Sequence, residues 1–165
     1  MPEQKAVILM GSKSDVDFAA TVADSLRHFD IKSESRIASA HKTPRGLLKI
    51  LEEYERLEDK IVYITVAGLS DALSGTVAGF TKYPVIACPP DSPKYGWTKI
   101  FSSTMTPRGV SVLFAAEPEN AALAAAKILA LSDASLQTKI ARYQQRKREE
   151  VIEADKEIKG KKISN

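Results

Sequence analysis

A chain of 165 residues, 44% hydrophobic and 27% charged, has the size and apolar content of one ordinary globular domain with a real core, which excludes a disordered chain. The net charge of +3 and 7% aromatic content are too small to argue for a nucleic-acid surface, and no apolar run reaches the ~18 residues of a membrane helix. The start MPEQKAVILMGS lacks the features of a signal peptide, so a cytoplasmic protein is expected, and the single Cys88 excludes an internal disulfide or a cysteine-based zinc site.

Taken in chain order, the first apolar run is AVILM (6–10), of strand length and apolar throughout, as in a strand buried on both faces. After it, Ala19, Val22, Leu26 and Phe29 share one helix face, with Ser14 or Asp15 placed to cap its start. A weaker strand, IKSESRI (31–37), precedes a helix opened by Pro44 and striped by Leu47, Leu51, Tyr54 and Leu57; proline suits a first turn because its missing N–H has no intrahelical partner. Next come IVYITVA (61–67), a helix over about 70–80, PVIAC (84–88), a short helix from about Trp97, VSVLFAA (110–116) and a helix through PENAALAAAKILAL. Cys88 reads as a small residue near a buried strand end, with a catalytic thiol the weaker alternative. Strand and helix alternate five times, which predicts a doubly wound α/β domain: a parallel sheet of about five strands between two helical layers.

The last segment, from Asp133 to about Ile158, carries Leu136, Ile140, Tyr143, Val151, Ala154 and Ile158 as a narrow stripe on a charged helix, interrupted around Lys147. Such a stripe fits equally a solvated helix lying on its own domain and an arm gripping a neighbouring subunit. The organisation is therefore read as residues 1–132 forming the α/β unit, with 133–165 as a helical arm of the same domain.

Ligands of parallel sheets gather outside the carboxyl ends of the strands, so the loops there are the candidates. GSKSD (11–15) offers Gly11, the hydroxyls of Ser12 and Ser14, and Asp15: donors for a phosphate and a carboxylate for ribose hydroxyls, or the ordinary residues of a helix cap. SAHKTP (39–44) brings Ser39, Ala40, His41 and Lys42 to the same edge. Lys42 can neutralise a phosphate, and an imidazole, with its ordinary pKa of about 6.5, can move a proton near pH 7, although a lone loop histidine is more often a bystander. His28, at a helix end, is assigned no chemistry. AGLSDALSG (67–75) places Gly68, Ser70, Asp71, Ala72 and Leu73 as a ligand loop or a capped, tightly packed helix start. The long segment 88–109, with Tyr95 and Trp97, reads as a lid or a subunit contact. No cluster has metal-ligand spacing, and neither GxSxG, GxGxxG nor GxxxxGK[ST] occurs. The residues alone give a phosphate-recognising domain with one good proton-transfer candidate and leave the reaction open.

The loops GSKSD, SAHKTP and AGLSDALSG, followed by PVIACPP, SSTMTPRGV and PENAALAAAKIL, together resemble the PurE family of de novo purine biosynthesis over about residues 6–132. The resemblance implies a flavodoxin-like three-layer αβα fold, a homo-oligomer that is usually an octamer with its C-terminal helix on a neighbouring subunit, and no metal or organic cofactor. The mutase branch typically shows GGAAHLPG and HRTP, where this chain has Ala72 and Lys42. The carboxylase branch, with GRSNALSG, HK and CPP, is the closer match. Departures from it stand at Leu69, Asp71 and Met105. The resemblance implies carboxylation of 5-aminoimidazole ribonucleotide (AIR) by CO2 to 4-carboxyaminoimidazole ribonucleotide (CAIR). The mutase conversion of N5-carboxyaminoimidazole ribonucleotide (N5-CAIR) is the first alternative, and a non-catalytic nucleotide binder the second. By the same resemblance Ser12, Ser14 and Asp15 hold the phosphate and ribose region, Ser39 and Lys42 the phosphate, backbone N–H groups of 68–73 the carboxylate, and His41 moves the C4 proton.

Overall fold

Three of the apolar runs, AVILM, IVYITVA and PVIAC, become the inner strands of one parallel sheet. The computed structural model describes residues 3–90 and 96–159, the side chain of Trp97 excepted; Tyr95 and that indole, read above as lid or contact aromatics, lie outside the described residues. Five strands, Gln4–Met10 (β1), Lys32–Ile37 (β2), Lys60–Val66 (β3), Val85–Ala87 (β4) and Leu113–Phe114 (β5), stand in the order β2-β1-β3-β4-β5, all parallel. The helices are Val16–Arg27 (α1), Pro44–Glu55 (α2), Ala72–Phe80 (α3), Ile100–Thr104 (α4), Pro118–Leu129 (α5) and Ala134–Ile158 (α6). This is the doubly wound parallel sheet that the alternation predicts, in the flavodoxin-like order that the family resemblance implies.

Successive side chains on a strand point to opposite faces, so a strand apolar at every position must feed two cores. Ala6, Ile8 and Met10 of β1 and Val62, Ile64 and Val66 of β3 join α1, α5 and the first turns of α6. Val7 and Leu9, with Ile61 and Tyr63, face α2 and α3. Alanines at 121, 122, 125 and 126 are fully buried, and their short side chains let α5 lie close against α1 and the sheet.

Several details depart from the sequence reading. Phe29 and Leu57 fall just past the ends of α1 and α2; Phe29 is still buried, whereas Leu57 is exposed. The seven-residue run VSVLFAA yields only a two-residue edge strand, because its sole ladder partner, β4, is itself three residues long. The helix expected from Trp97 is a 3₁₀ turn over Gly96–Lys99 leading into α4. On α6 the Asp133 carboxylate caps the start by accepting from the Leu136 N–H (3.0 Å), and Leu136 and Ile140 are buried. Tyr143 packs edge-on against Phe29 at 5.1 Å, and beyond it Val151 and Ile158 of the stripe, with neighbouring Ile152, are exposed. Among the described residues no helix is long and apolar enough to cross a membrane.

The amino end of the sheet carries an ionic knot. The nearly buried Lys5 ammonium lies 2.8 Å from Glu34 Oε1 and 3.1 Å from Asp59 Oδ2, and the Tyr54 hydroxyl donates to the other Glu34 oxygen at 2.6 Å. The Glu34 hydrogen bond leads in raising the Lys5 pKa, and the reciprocal bond from Lys5, then that from Tyr54, holds the Glu34 carboxyl below its usual range.

Candidate active site

Strand register positions the site. Met10 pairs with Ile37 on one side and with Val66 on the other, so β1, β2 and β3 end on a common line. Two further backbone bonds carry the ladder past the strand ends, Ala38 N–H to Met10 O and Gly11 N–H to Val66 O, each 2.9 Å. The loops after the three strands therefore leave the sheet together, at the point where the chain passes after β1 to the helical layer of α1 and after β3 to the opposite layer of α3. Parallel sheets open a crevice there. It is occupied by a cavity of about 260 Å³, lined by Gly11, Ser12, Ser14 and Asp15 from the first loop, Ser39, Ala40, His41 and Lys42 from the second, and Ala67, Gly68, Leu69, Ser70 and Leu73 from the third.

The first loop folds around a buried carboxylate. Asp15 Oδ2 accepts from the Ser12 N–H at 2.9 Å and from the Ser12 hydroxyl at 3.2 Å, while the Ser12 and Ser14 hydroxyl oxygens stand 2.6 Å apart. Asp15 thus reaches back along the loop and, in contrast to the sequence reading, does not cap α1 with its side chain. The third loop passes so near that a Cβ placed on Gly68 would come within 3.0 Å of Asp15 Oδ1, which accounts for glycine at this position.

The second loop is a hydroxyl-stitched turn. Thr43 Oγ1 accepts from the Ser39 N–H at 3.0 Å, and Ser39 Oγ accepts from the Lys42 N–H at 3.1 Å. Ser39 lines the cavity, and neither of these bonds uses its hydroxyl hydrogen. Pro44 begins α2 directly afterwards. His41 and Lys42 are exposed, and neither side chain makes a hydrogen bond or ion pair with the described residues, so the imidazole and the ammonium face the cavity uncommitted.

Two residues read as ligand contacts are placed elsewhere. Asp71 and Ala72 are not in the cavity lining, and Asp71 is 1% exposed. Its Oδ1 accepts from the Ser74 N–H at 3.0 Å, capping α3, and its Oδ2 from the buried Ser103 hydroxyl at 2.6 Å. Ala67 and Leu69 line the cavity without having been singled out as contacts; their signal was adjacency to Gly68. Cys88 is fully buried, and burial pushes its thiol up to about 12, which fits a packing role. Among the described residues no group of three His, Cys, Asp or Glu side chains could hold a metal ion.

Comparison with known proteins agrees with this arrangement. The profile of the family described as AIR carboxylase matches residues 5–150. The chain is 50% identical over 155 residues to the phosphoribosylaminoimidazole carboxylase of Archaeoglobus fulgidus, spanning 94% of this chain and 85% of the relative. It is 36% identical over 154 residues to the N5-carboxyaminoimidazole ribonucleotide mutase of Methanocaldococcus jannaschii, spanning 92% of this chain and 96% of the relative. The crystal structure of Treponema denticola PurE superposes with a TM-score of 0.92 at 42% identity, covering 95% of this chain and 99% of that one. Fold, loop placement and sequence converge: the chain belongs to the AIR carboxylase (PurE) family of purine-biosynthesis enzymes.

Proposed function

We propose that this enzyme carboxylates AIR with CO2 to give CAIR, and that His41 moves the C4 proton. The observation that carries the reading is the convergence of the uncommitted His41 imidazole, the Lys42 ammonium and the hydroxyls of Ser12, Ser14 and Ser39 on one cavity. Ser12, Ser14, Ser39 and Lys42 suit a phosphate, and Asp15 suits the ribose hydroxyls. C4 of the aminoimidazole ring, made nucleophilic by the adjacent amino group, gives its electron pair to the carbon of CO2. The new C–C bond forms as one C=O π pair moves onto oxygen, leaving a carboxylate. C4 then still carries its hydrogen. His41 takes it as a proton, the C4–H pair returns to the ring, and aromaticity is restored. Backbone N–H groups of the loop from Gly68 onward, Leu73 bounding it from α3, would hold the carboxylate as its charge develops.

Mutase activity is the competing reading within the family. It is disfavoured by Lys42 and Ala72, which stand where the mutase pattern has an arginine and a histidine. A non-catalytic nucleotide binder is the second competitor. Purified protein supplied with AIR and bicarbonate, or with N5-CAIR alone, distinguishes all three when CAIR formation is followed. The proposal expects product from AIR. Product from N5-CAIR only would overturn the branch assignment, and binding without turnover in both arms would overturn catalysis. The exposed apolar residues on the far half of α6 support assembly with further copies of the chain, an octamer by family resemblance, and membership of a purine-biosynthesis family supports a cytoplasmic setting.

A further inference from the structure

The carboxylate of Asp71 joins two segments that the chain connects only through a long excursion. It caps α3 through the Ser74 N–H, and it accepts from Ser103 on α4; Asp71, Ser74 and Ser103 are all buried. Positions 71, 75 and 79, four apart, share one side of α3. A methyl added at Gly75 would touch Thr106 Cγ2 at 3.8 Å, and one added at Gly79 would touch Val110 Cγ2 at 3.8 Å. This side of α3 is therefore the seat of α4 and of the segment after it, and the Asp71–Ser103 bond is a buried polar pin at the end nearest the cavity. Leu69 and Ser70, immediately before Asp71, border the main cavity on one side and, on the other, a recess of about 320 Å³ completed by Thr98, Lys99 and Ser102. The loop is thus a partition whose position is fixed at Asp71.

We infer that Asp71 is a positioning residue: through Ser103 it clamps the partition at Gly68, Leu69 and Ser70 against α4, and so holds the backbone that faces the reacting carboxylate. The kinetic part rests on the proposed carboxylation. An asparagine keeps the clamp, since its oxygen can accept from the Ser74 N–H while its amide donates to the Ser103 oxygen; an alanine cannot.

The test compares Asp71→Ala, Ser103→Ala and Asp71→Asn in the full chain, with Val22→Ala in the opposite core as a control for lost stability. Misplacement of a positioned backbone is expected to lower kcat about tenfold or more in both clamp-breaking variants. KM for AIR stays within about threefold, because the phosphate is held by the other two loops. Asp71→Asn recovers kcat to within about threefold of the wild type, and Val22→Ala keeps it. Wild-type kcat in Asp71→Ala, or an Asp71→Asn enzyme as slow as Asp71→Ala, overturns the inference. Amide hydrogen exchange on the ligand-free chain is the second arm: Ser103→Ala should speed exchange at 68–75 and 100–104 and leave β1 unchanged, whereas no change, or a uniform one, overturns the clamp. If the wild type converts neither AIR nor N5-CAIR, the functional reading fails by itself and the exchange arm alone decides.

Discussion

Gly68→Ala perturbs the cavity through a single added methyl. Its Cβ would stand 3.0 Å from Asp15 Oδ1 and 3.6 Å from Pro90 Cγ, so the carboxylate must retreat by a few tenths of an ångström. That group is not free to move. It is buried, and its other oxygen is held by the Ser12 N–H at 2.9 Å and the Ser12 hydroxyl at 3.2 Å. Hydrogen bonds to a charged group contribute about 1.5–3 kcal/mol each, and bending two of them without breaking either costs about 1–2 kcal/mol. A loss of that size lowers Tm by a few degrees in a chain of this length. Because Asp15 also lines the cavity, AIR affinity should fall by about tenfold. Calorimetric titration of AIR into wild type, Gly68→Ala, Asp15→Ala and the double variant measures this directly. With the carboxylate gone the methyl has nothing to displace, so Gly68→Ala should add little in the Asp15→Ala background. Unchanged affinity and Tm in Gly68→Ala, or equal losses in both backgrounds, would refute the reasoning.

His41→Asn should abolish turnover, by at least about a hundredfold, while AIR binding measured by titration stays within a few-fold of wild type; retained turnover would remove His41 from the mechanism. Lys5→Ala should cost about 1–2 kcal/mol in denaturant unfolding, one charge-assisted hydrogen bond discounted because the Glu34 side chain is 47% exposed. Since Glu34 is held below its usual range in the fold, its contribution is fully present above the unfolded carboxyl value of about 4.3 and is lost as pH falls through the folded value. Unfolding curves between about pH 5 and pH 2 should accordingly show a shallower acid loss in Lys5→Ala than in wild type. Cys88, buried with its thiol raised to about 12, should resist alkylation at pH 8 until the chain is unfolded, as mass spectrometry would record. Val151→Asp with Ile158→Asp should dissociate the proposed assembly in analytical ultracentrifugation yet leave the folded chain intact, because both side chains are exposed in the isolated protein.

The inner layers of the fold were legible because their residues obey one constraint over long runs. AVILM is apolar at every position and IVYITV at all but Thr65, a pattern suited to a strand covered on both sides, and both are inner strands. The cavity edge was partly legible, since in a parallel sheet the helix starts meet the strand ends there; eleven of the thirteen proposed contact positions border the cavity. What escaped depends on partners far away in the chain. Asp71 stands near a helix start, and sequence cannot tell a carboxylate that faces a cavity from one that turns to Ser103, 32 residues on, whereas Asp15 in a similar setting both bonds Ser12 and borders the cavity. The shortness of β5 is likewise a property of its neighbour β4 and not of VSVLFAA itself. On α6 the stripe of Leu136, Ile140 and Tyr143 finds cover from the domain, whereas Val151 and Ile158 obey the same periodicity and find none.

The common line on which β1, β2 and β3 end has a consequence for how such an enzyme diversifies. Its three walls share a foundation, the paired backbones of Met10, Ile37 and Val66, while each wall is a separate short segment. Residues 42 and 69 can be exchanged without touching either core, since both are exposed and neither contributes to the sheet. Foundation and furnishing are thus inherited on different terms. Substitution at the rim can alter what the cavity holds while the ionic knot around Lys5, at the far end of the same strands, is left as it is.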